Sequence, residues 1–139
     1  MRNKIILDLC GGSGSWSRYY KQNGYDVRLI TLPDYDVTTY TPPNNVYGIL
    51  AAPPCTEFSV LNCVAENRER HFDVGLVVVE ACLKIISECK PKFWALENPV
   101  GHLRKYLGKP TFTFQPWQFG DPWTKHTDIW GNFNPPRIL

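Results

Sequence analysis

Lys4-Ile-Ile-Leu-Asp-Leu-Cys-Gly-Gly-Ser-Gly-Ser-Trp16 decides how this chain is read. Lys4 to Leu9 is a short β-branched run that ends at glycines, the pattern of a buried strand. Gly11-Gly-Ser-Gly14 reads as a tight turn, and Ser15 to Gln22 as a helix stopped by Asn23-Gly24. A strand, a glycine turn and a helix N-terminus in sequence suit a carboxylate or phosphate ligand. The turn is not a Walker loop, since no Gly-Lys-Ser/Thr follows, and it does not match GxGxxG. Taken alone it is equally a strand–helix connection that binds nothing.

Outward from this stretch, strands and helices alternate. Asp26 to Thr31 reads as a second strand, Pro33 to Asn45 as a turn-rich link, and Val46 to Ala51 as a third strand ended by Pro53-Pro54. Phe72 to Cys89 is the longest predicted helix. Val74, Val77, Val78, Ala81, Leu83, Ile85 and Ile86 form its apolar face, and Glu80, Lys84 and Glu88 its solvated one. Lys92 to Glu97 is a fourth strand. Beyond Pro99 the sequence turns irregular and aromatic, with short strands expected near Thr111–Gln115 and Thr127–Phe133. The expectation is an α/β fold, a mainly parallel central sheet flanked by helices, in one domain over residues 1–139. Ligands of such sheets sit beyond the carboxyl ends of the strands.

Composition narrows the class. Apolar residues make up 43% and charged residues 20% of 139, which excludes a disordered chain. No apolar run approaches a membrane span and no signal peptide is legible, so a cytoplasmic protein without a membrane partner is expected. The net charge of +2 is low for a dedicated duplex-DNA binder. The charge is uneven, however: residues 99–139 hold five basic and two acidic residues and 8 of the 19 aromatics. That tail is the best candidate for a base-contacting surface, unless its aromatics simply cover the sheet edge. Five cysteines without a CxxC, and histidines 71, 102 and 126 without ligand spacing, give no expectation of disulfides or a metal site.

Two further motifs fall at strand ends. Ala52-Pro-Pro-Cys-Thr-Glu-Phe-Ser59 places Cys55 on a loop stiffened by two prolines, as a nucleophile requires. A buried structural cysteine is the plainer alternative. Ala95-Leu-Glu-Asn-Pro99 puts Glu97 after an apolar strand, where a low dielectric favours a protonated carboxyl able to donate. A helix-capping pair before Pro99 would look the same.

Taken in order, the three motifs resemble the cytosine-C5 DNA methyltransferases that use S-adenosylmethionine, most closely a minimal phage-type member lacking the target-recognition domain. Asp8-Leu-Cys-Gly-Gly-Ser-Gly14 is similar to that family's cofactor motif, Pro53-Pro-Cys-Thr-Glu-Phe-Ser59 to its nucleophile motif, and Glu97-Asn98 to its catalytic Glu-Asn motif. The resemblance spans about Ile5 to Phe133 and implies a Rossmann-like methyltransferase fold. It implies Cys55, Glu97 and Asn98 as catalytic residues, with Cys55 adding to C6 of cytosine and Glu97 assisting at N3. For the cofactor it implies Asp8, Cys10, Gly11, Gly12, Ser13, Gly14, Trp16, Asp36 and Pro53. For the substrate it implies Pro54 and Ser59, with Arg68 and Arg70 as candidate cations of the same cleft.

The sequence also departs from that pattern. Thr56 follows the cysteine where the family has Gln, and Pro99 follows Glu97-Asn98 where it has Val. The ribose-binding acid expected after the second strand is absent, and so is a Gln-x-Arg-x-Arg motif. Without a recognition domain, sequence readout on duplex DNA needs another source, such as a second protein chain. A catalytically silent nucleic-acid or partner-binding module, and a methyltransferase on free cytosine nucleotides, are the alternatives. Single-stranded against duplex DNA stays open.

Overall fold

A computed structural model of the chain describes residues 4–54, 72–99, 101, 103–114 and 126–134. In chain order its elements are β1 (Ile5–Leu9), α1 (Arg18–Gln22), β2 (Asp26–Ile30), β3 (Val46–Ala51), α2 (Phe72–Cys89), β4 (Phe93–Pro99), α3 (Arg104–Leu107), β5 (Phe112–Phe114) and β6 (Thr127–Asn132). The six strands form one sheet in the order β2-β1-β3-β4-β6-β5. β1 pairs in parallel with both β2 and β3, and β3 with β4. β6 runs antiparallel to β4, and β5 antiparallel to β6. The sheet is therefore mixed: three of its five pairings are parallel, through β4 as the sequence suggests, and the two beyond β4 are antiparallel. Strand–helix alternation, the signal for parallel pairing, ends with β4; the last two strands lie in the aromatic tail, where no periodicity encodes direction.

Alternation within the strands assigns the two faces. Leu7, Leu9, Ile49, Ala51 and Leu96 pack on one side with Val79, Cys82, Ile85 and Ile86 of α2. Burying a side chain of this size stabilises the fold by roughly 1.5–3 kcal/mol. Ile6, Leu50, Ala95 and Ile129 face the other way, under Trp16, Tyr20, Tyr25, Tyr47 and Phe93. The core stripe of α2 is narrower than its sequence suggests: Val77 is 54% exposed. α1 starts at Arg18, three residues later than expected, because residues 12–17 are turns. α3 is a helix that the sequence pattern did not suggest. Among the described residues no helix is long and apolar enough to cross a membrane.

β1 lies between β2 and β3, so the chain reverses its direction of travel across the sheet at β1. A reversal of this kind opens a crevice at the carboxyl ends of the strands. β6, being antiparallel, begins at that same end, with Thr127 opposite Pro99.

Candidate functional site

The loop after β1 is built on left-handed backbone. Gly12 (φ 58°) and Gly14 (φ 79°) adopt it without a Cβ penalty. Cys10 (φ 61°) adopts it with one, a conformation that clusters at functional sites. The Cys10 N–H donates to the Ile30 carbonyl at 2.8 Å and the Gly14 N–H to the Gly11 carbonyl at 3.1 Å, which folds the loop over the ends of β1 and β2.

Beneath this loop Asp8 is fully buried. Ser17 stands at the N-cap of α1 but caps nothing; its hydroxyl donates to Asp8 Oδ2 at 2.6 Å. Asp8 Oδ1 is buried and has no hydrogen-bond partner among the described residues. Burial pushes the Asp8 carboxyl above its ordinary range, and the Ser17 hydrogen bond offsets part of that rise. Gly11 packs on the same carboxylate so closely that a Cβ there would overlap it.

Two cavities open on either side of the loop. The first, about 320 Å³, is lined by Gly11, Ser15, Trp16, Ala52, Glu97, Thr127 and Ile129, and so collects the carboxyl ends of β1, β3 and β4 and the start of β6. Glu97 reaches it half-buried. The second, about 150 Å³, lies at the ends of β1 and β2 and is lined by Cys10, Ile30, Thr31, Leu32, Tyr35, Asp36, Val37, Pro54 and Val78. Its one acid is Asp36, whose Oδ1 accepts from the Thr38 hydroxyl at 2.6 Å and the Thr38 N–H at 2.9 Å. Those two bonds hold the Asp36 carboxyl below its usual range. Interaction with Cys82 of α2 lowers the Cys10 thiol, and interaction with Cys10 together with burial raises that of Cys82.

Glu97 and Asn98 are adjacent in β4 and therefore point to opposite faces. Glu97 lines the larger cavity. Asn98, fully buried, donates from Nδ2 to the Pro53 carbonyl at 3.1 Å and so ties the Pro-Pro loop to the end of β4. Pro53 is buried and Pro54 borders the smaller cavity. The structure thus brings Gly11, Trp16 and Glu97 to one cavity, and Cys10, Asp36 and Pro54 to its neighbour. Gly12 and Ser13 are exposed on the loop, and Ser13 and Ser15 share a hydroxyl hydrogen bond at 2.8 Å. Cys55, Ser59, Arg68 and Arg70 lie outside the described residues, as do Trp117, Phe119 and Trp123 of the tail. Of the other tail aromatics, Trp130 is buried in the core and Phe112 packs on the opposite face.

Sequence reasoning missed several residues here. Ser17 carried a signal, a hydroxyl at a helix start nine residues after an acid, but nothing in the sequence aims it at Asp8. Thr127 and Ile129 reach the cavity only because β6 pairs beside β4. The sequence was equally silent on Asp128, fully buried between them and clamped by Arg104 Nε at 2.6 Å, Arg104 Nη2 at 2.7 Å and the Thr113 hydroxyl at 2.7 Å. Among the described residues no group of three or more His, Cys, Asp or Glu could hold a metal ion.

Two cavities thus open at the sheet's point of reversal, the position where open α/β sheets generally bind ligands. No family model matches the sequence, and no curated protein does. Solved structures do match. One is a crystal structure from E. coli described as a candidate DNA modification methyltransferase encoded within a prophage. It superposes with a TM-score of 0.61 at 17% identity, covering 94% of this chain and 47% of that one. The two share a fold, and this chain spans about half the length of that structure.

Proposed function

We propose that the chain is an S-adenosylmethionine-dependent methyltransferase that methylates C5 of cytosine in DNA, on a sheet of the Rossmann-like type. The observation that carries this reading is the convergence at one strand edge. The glycine loop and Glu97 share a cavity, and Asn98 locks the loop that leads into Cys55 against the same strand end. A shared fold with a structure described as a DNA modification methyltransferase supports it.

The residues present fit the cofactor. Asp8 Oδ1 is an orphaned buried acceptor beneath the glycine loop, suited to an ammonium group. Gly11 lets the loop close directly onto that carboxylate, where any side chain would collide with it. Asp36, ionised and bordering an apolar cavity, suits an exocyclic amino donor such as that of adenine. Asp8, Cys10 to Gly14, Trp16, Asp36 and Pro53 are the assigned cofactor residues. The bound cofactor supplies an electrophilic methyl group.

In this reading the Cys55 thiolate adds to C6 of the base, forming the S–C6 bond. Glu97 holds a proton at N3, which draws electron density off the ring and favours the addition. The bond electrons collect at C5, the atom that would displace the methyl from the sulfonium of a bound cofactor. Transfer of the C5 proton to water and cleavage of S–C6 then restore the C5–C6 double bond and return the thiolate. Asn98 acts at one remove, by fixing the carbonyl of Pro53 two residues before the nucleophile. Pro54, Ser59, Arg68 and Arg70 are assigned to the substrate, and a base in duplex must leave the stack to reach this cavity.

The test is methyl transfer from labelled S-adenosylmethionine to duplex DNA, single-stranded DNA and cytosine nucleotides, with products resolved as nucleosides. Label in 5-methylcytosine, abolished in Cys55→Ser, is expected with DNA. Label on free nucleotides alone would replace DNA as the substrate. Cofactor binding without transfer to any of them would replace the enzyme by a binding module.

A further inference from the structure

Among the described residues two hydroxyls line the Glu97 cavity, those of Ser15 and Thr127. Ser15 is exposed on the glycine loop and shares a hydrogen bond with Ser13. Thr127 is buried on the cavity wall, and the methyl-transfer scheme gives it no task.

The pairing of β6 sets where that hydroxyl stands. Ile129 lies directly opposite Glu97, Asp128 opposite Asn98 and Thr127 opposite Pro99. Opposed residues of an antiparallel pair share a face, and successive residues alternate. Thr127, Ile129 and Glu97 therefore share the cavity face, and Thr127 is the diagonal neighbour of Glu97, about 7–8 Å away at the backbone. The opposite face of β6 is held fast. Asp128 is clamped by Arg104 and Thr113, and the Trp130 indole N–H donates to the Gly108 carbonyl at 3.1 Å. Thr127 is also paired on both sides, with Pro99 of β4 and Phe114 of β5. The strand cannot turn this residue away from the cavity without breaking those bonds.

The edge of a cytosine ring presents the N4 amino group, N3 and the O2 carbonyl in a row. A protonated carboxyl offers one O–H donor and one acceptor oxygen, which meet N3 and N4 side by side. O2 is then an acceptor in need of a donor, and a buried acceptor without one is costly. A threonine hydroxyl one strand over can donate. We propose that Thr127 donates its hydroxyl to O2 of the bound cytosine, so that Glu97 and Thr127 hold the ring's pairing edge from adjacent strands. The inference rests on the reading of this cavity as one that takes cytosine.

The experiment follows labelled methyl transfer to two DNAs, one copied with dCTP and one with 2-thio-dCTP, which puts a weakly accepting sulfur in place of O2. Valine keeps the β-branched shape of Thr127 and removes the hydroxyl. On ordinary DNA Thr127→Val should lose about tenfold in kcat/KM, and Thr127→Ser should stay within about threefold of the parent. S-adenosylhomocysteine affinity should be unchanged in both. The penalty for thio substitution should be about tenfold larger in the parent than in Thr127→Val, because the variant has no hydrogen bond left to lose. Each penalty is a ratio within one protein, so a smaller folded fraction in the variant cancels from it. A parental kcat/KM in Thr127→Val, or a thio penalty equal to the parent's, overturns the assignment and leaves the cytosine reading in place. A parent that binds S-adenosylhomocysteine but forms 5-methylcytosine in ordinary DNA at no detectable rate overturns both.

Discussion

Asp8 and Asp128 are both fully buried aspartates near the carboxyl end of the β1–β4 strands, yet their surroundings differ. Asp128, in β6, is met by two guanidinium nitrogens and a hydroxyl. Asp8, in β1, is met by one hydroxyl and keeps a buried oxygen without a partner among the described residues. A buried charge with its hydrogen bonds made is part of the scaffold; one left half-made is costly, and its persistence needs an explanation. At the β6 edge the acid fastens α3 and β5 to the sheet. At the β1 end it lies beneath the glycine loop, against Gly11.

The comparison breaks most visibly if the fastened acid is released. Arg104→Ala would leave the Asp128 carboxylate buried without its cation. Removing one partner of a buried pair costs roughly 3–5 kcal/mol, and because the Arg104 side chain is 44% exposed, water offsets part of that, leaving about 3 kcal/mol. Urea unfolding of the variant measures it. Arg104→Met/Asp128→Leu should be closer to the parent than Arg104→Ala; a double variant less stable than the single would mean that the pair itself, not the unpaired charge, carries the effect.

At the β1 end the corresponding break is steric. Gly11→Ala drives a methyl into the Asp8 carboxylate, which is itself held by Ser17. Overpacking of this kind costs typically 1–3 kcal/mol, so about 2 kcal/mol is expected in unfolding, together with loss of S-adenosylhomocysteine binding by calorimetry. Retention of binding in a folded Gly11→Ala protein would place the cofactor away from this loop.

Much of this contrast was legible before any coordinates, and much was not. β1, β2, β3 and α2 follow from apolar periodicity and from glycine and proline punctuation, and α2 spans the residues that its pattern indicates. Asp8, the glycine loop and Glu97 were legible because they sit at strand ends, where chemistry is exposed by topology. The Arg104–Asp128–Thr113 clamp was not, because its members lie 15 and 24 residues apart and meet only through antiparallel pairing. Asn98 was legible as a residue but not as a tether, since the partner is a backbone carbonyl 45 residues away. Local sequence reports period and punctuation; it does not report which distant strand becomes a neighbour.

Asp8→Asn sharpens the contrast with a smaller effect of two opposite signs. The amide removes the cost of a buried carboxylate, so the unliganded protein should melt no lower than the parent near neutral pH. It also removes the charge offered to an ammonium group. Hydrogen bonds to charged groups contribute about 1.5–3 kcal/mol, so S-adenosylhomocysteine should bind about tenfold more weakly or worse. A structural acid would lose stability on this change and leave affinity alone.

The smallest expected effect is the pH dependence, and it separates Asp8 from Asp36. The Asp8 carboxyl is raised in the folded protein. From the ordinary aspartate value up to its own, the folded state therefore holds more protons than the unfolded one, and stability falls as pH rises through that window. Above the folded value the loss is complete and the profile from this group is flat. Affinity for S-adenosylhomocysteine should move the other way, rising across the same window as the carboxylate forms beneath the ligand's ammonium. Asp36 is lowered, so it is already ionised there and adds no slope. Calorimetric titrations at stepped pH on the parent and Asp8→Asn distinguish the two: the parent's affinity should climb and the variant's stay level. A climb of equal size in both would assign the titration to another group and return Asp8 to the scaffold, beside Asp128.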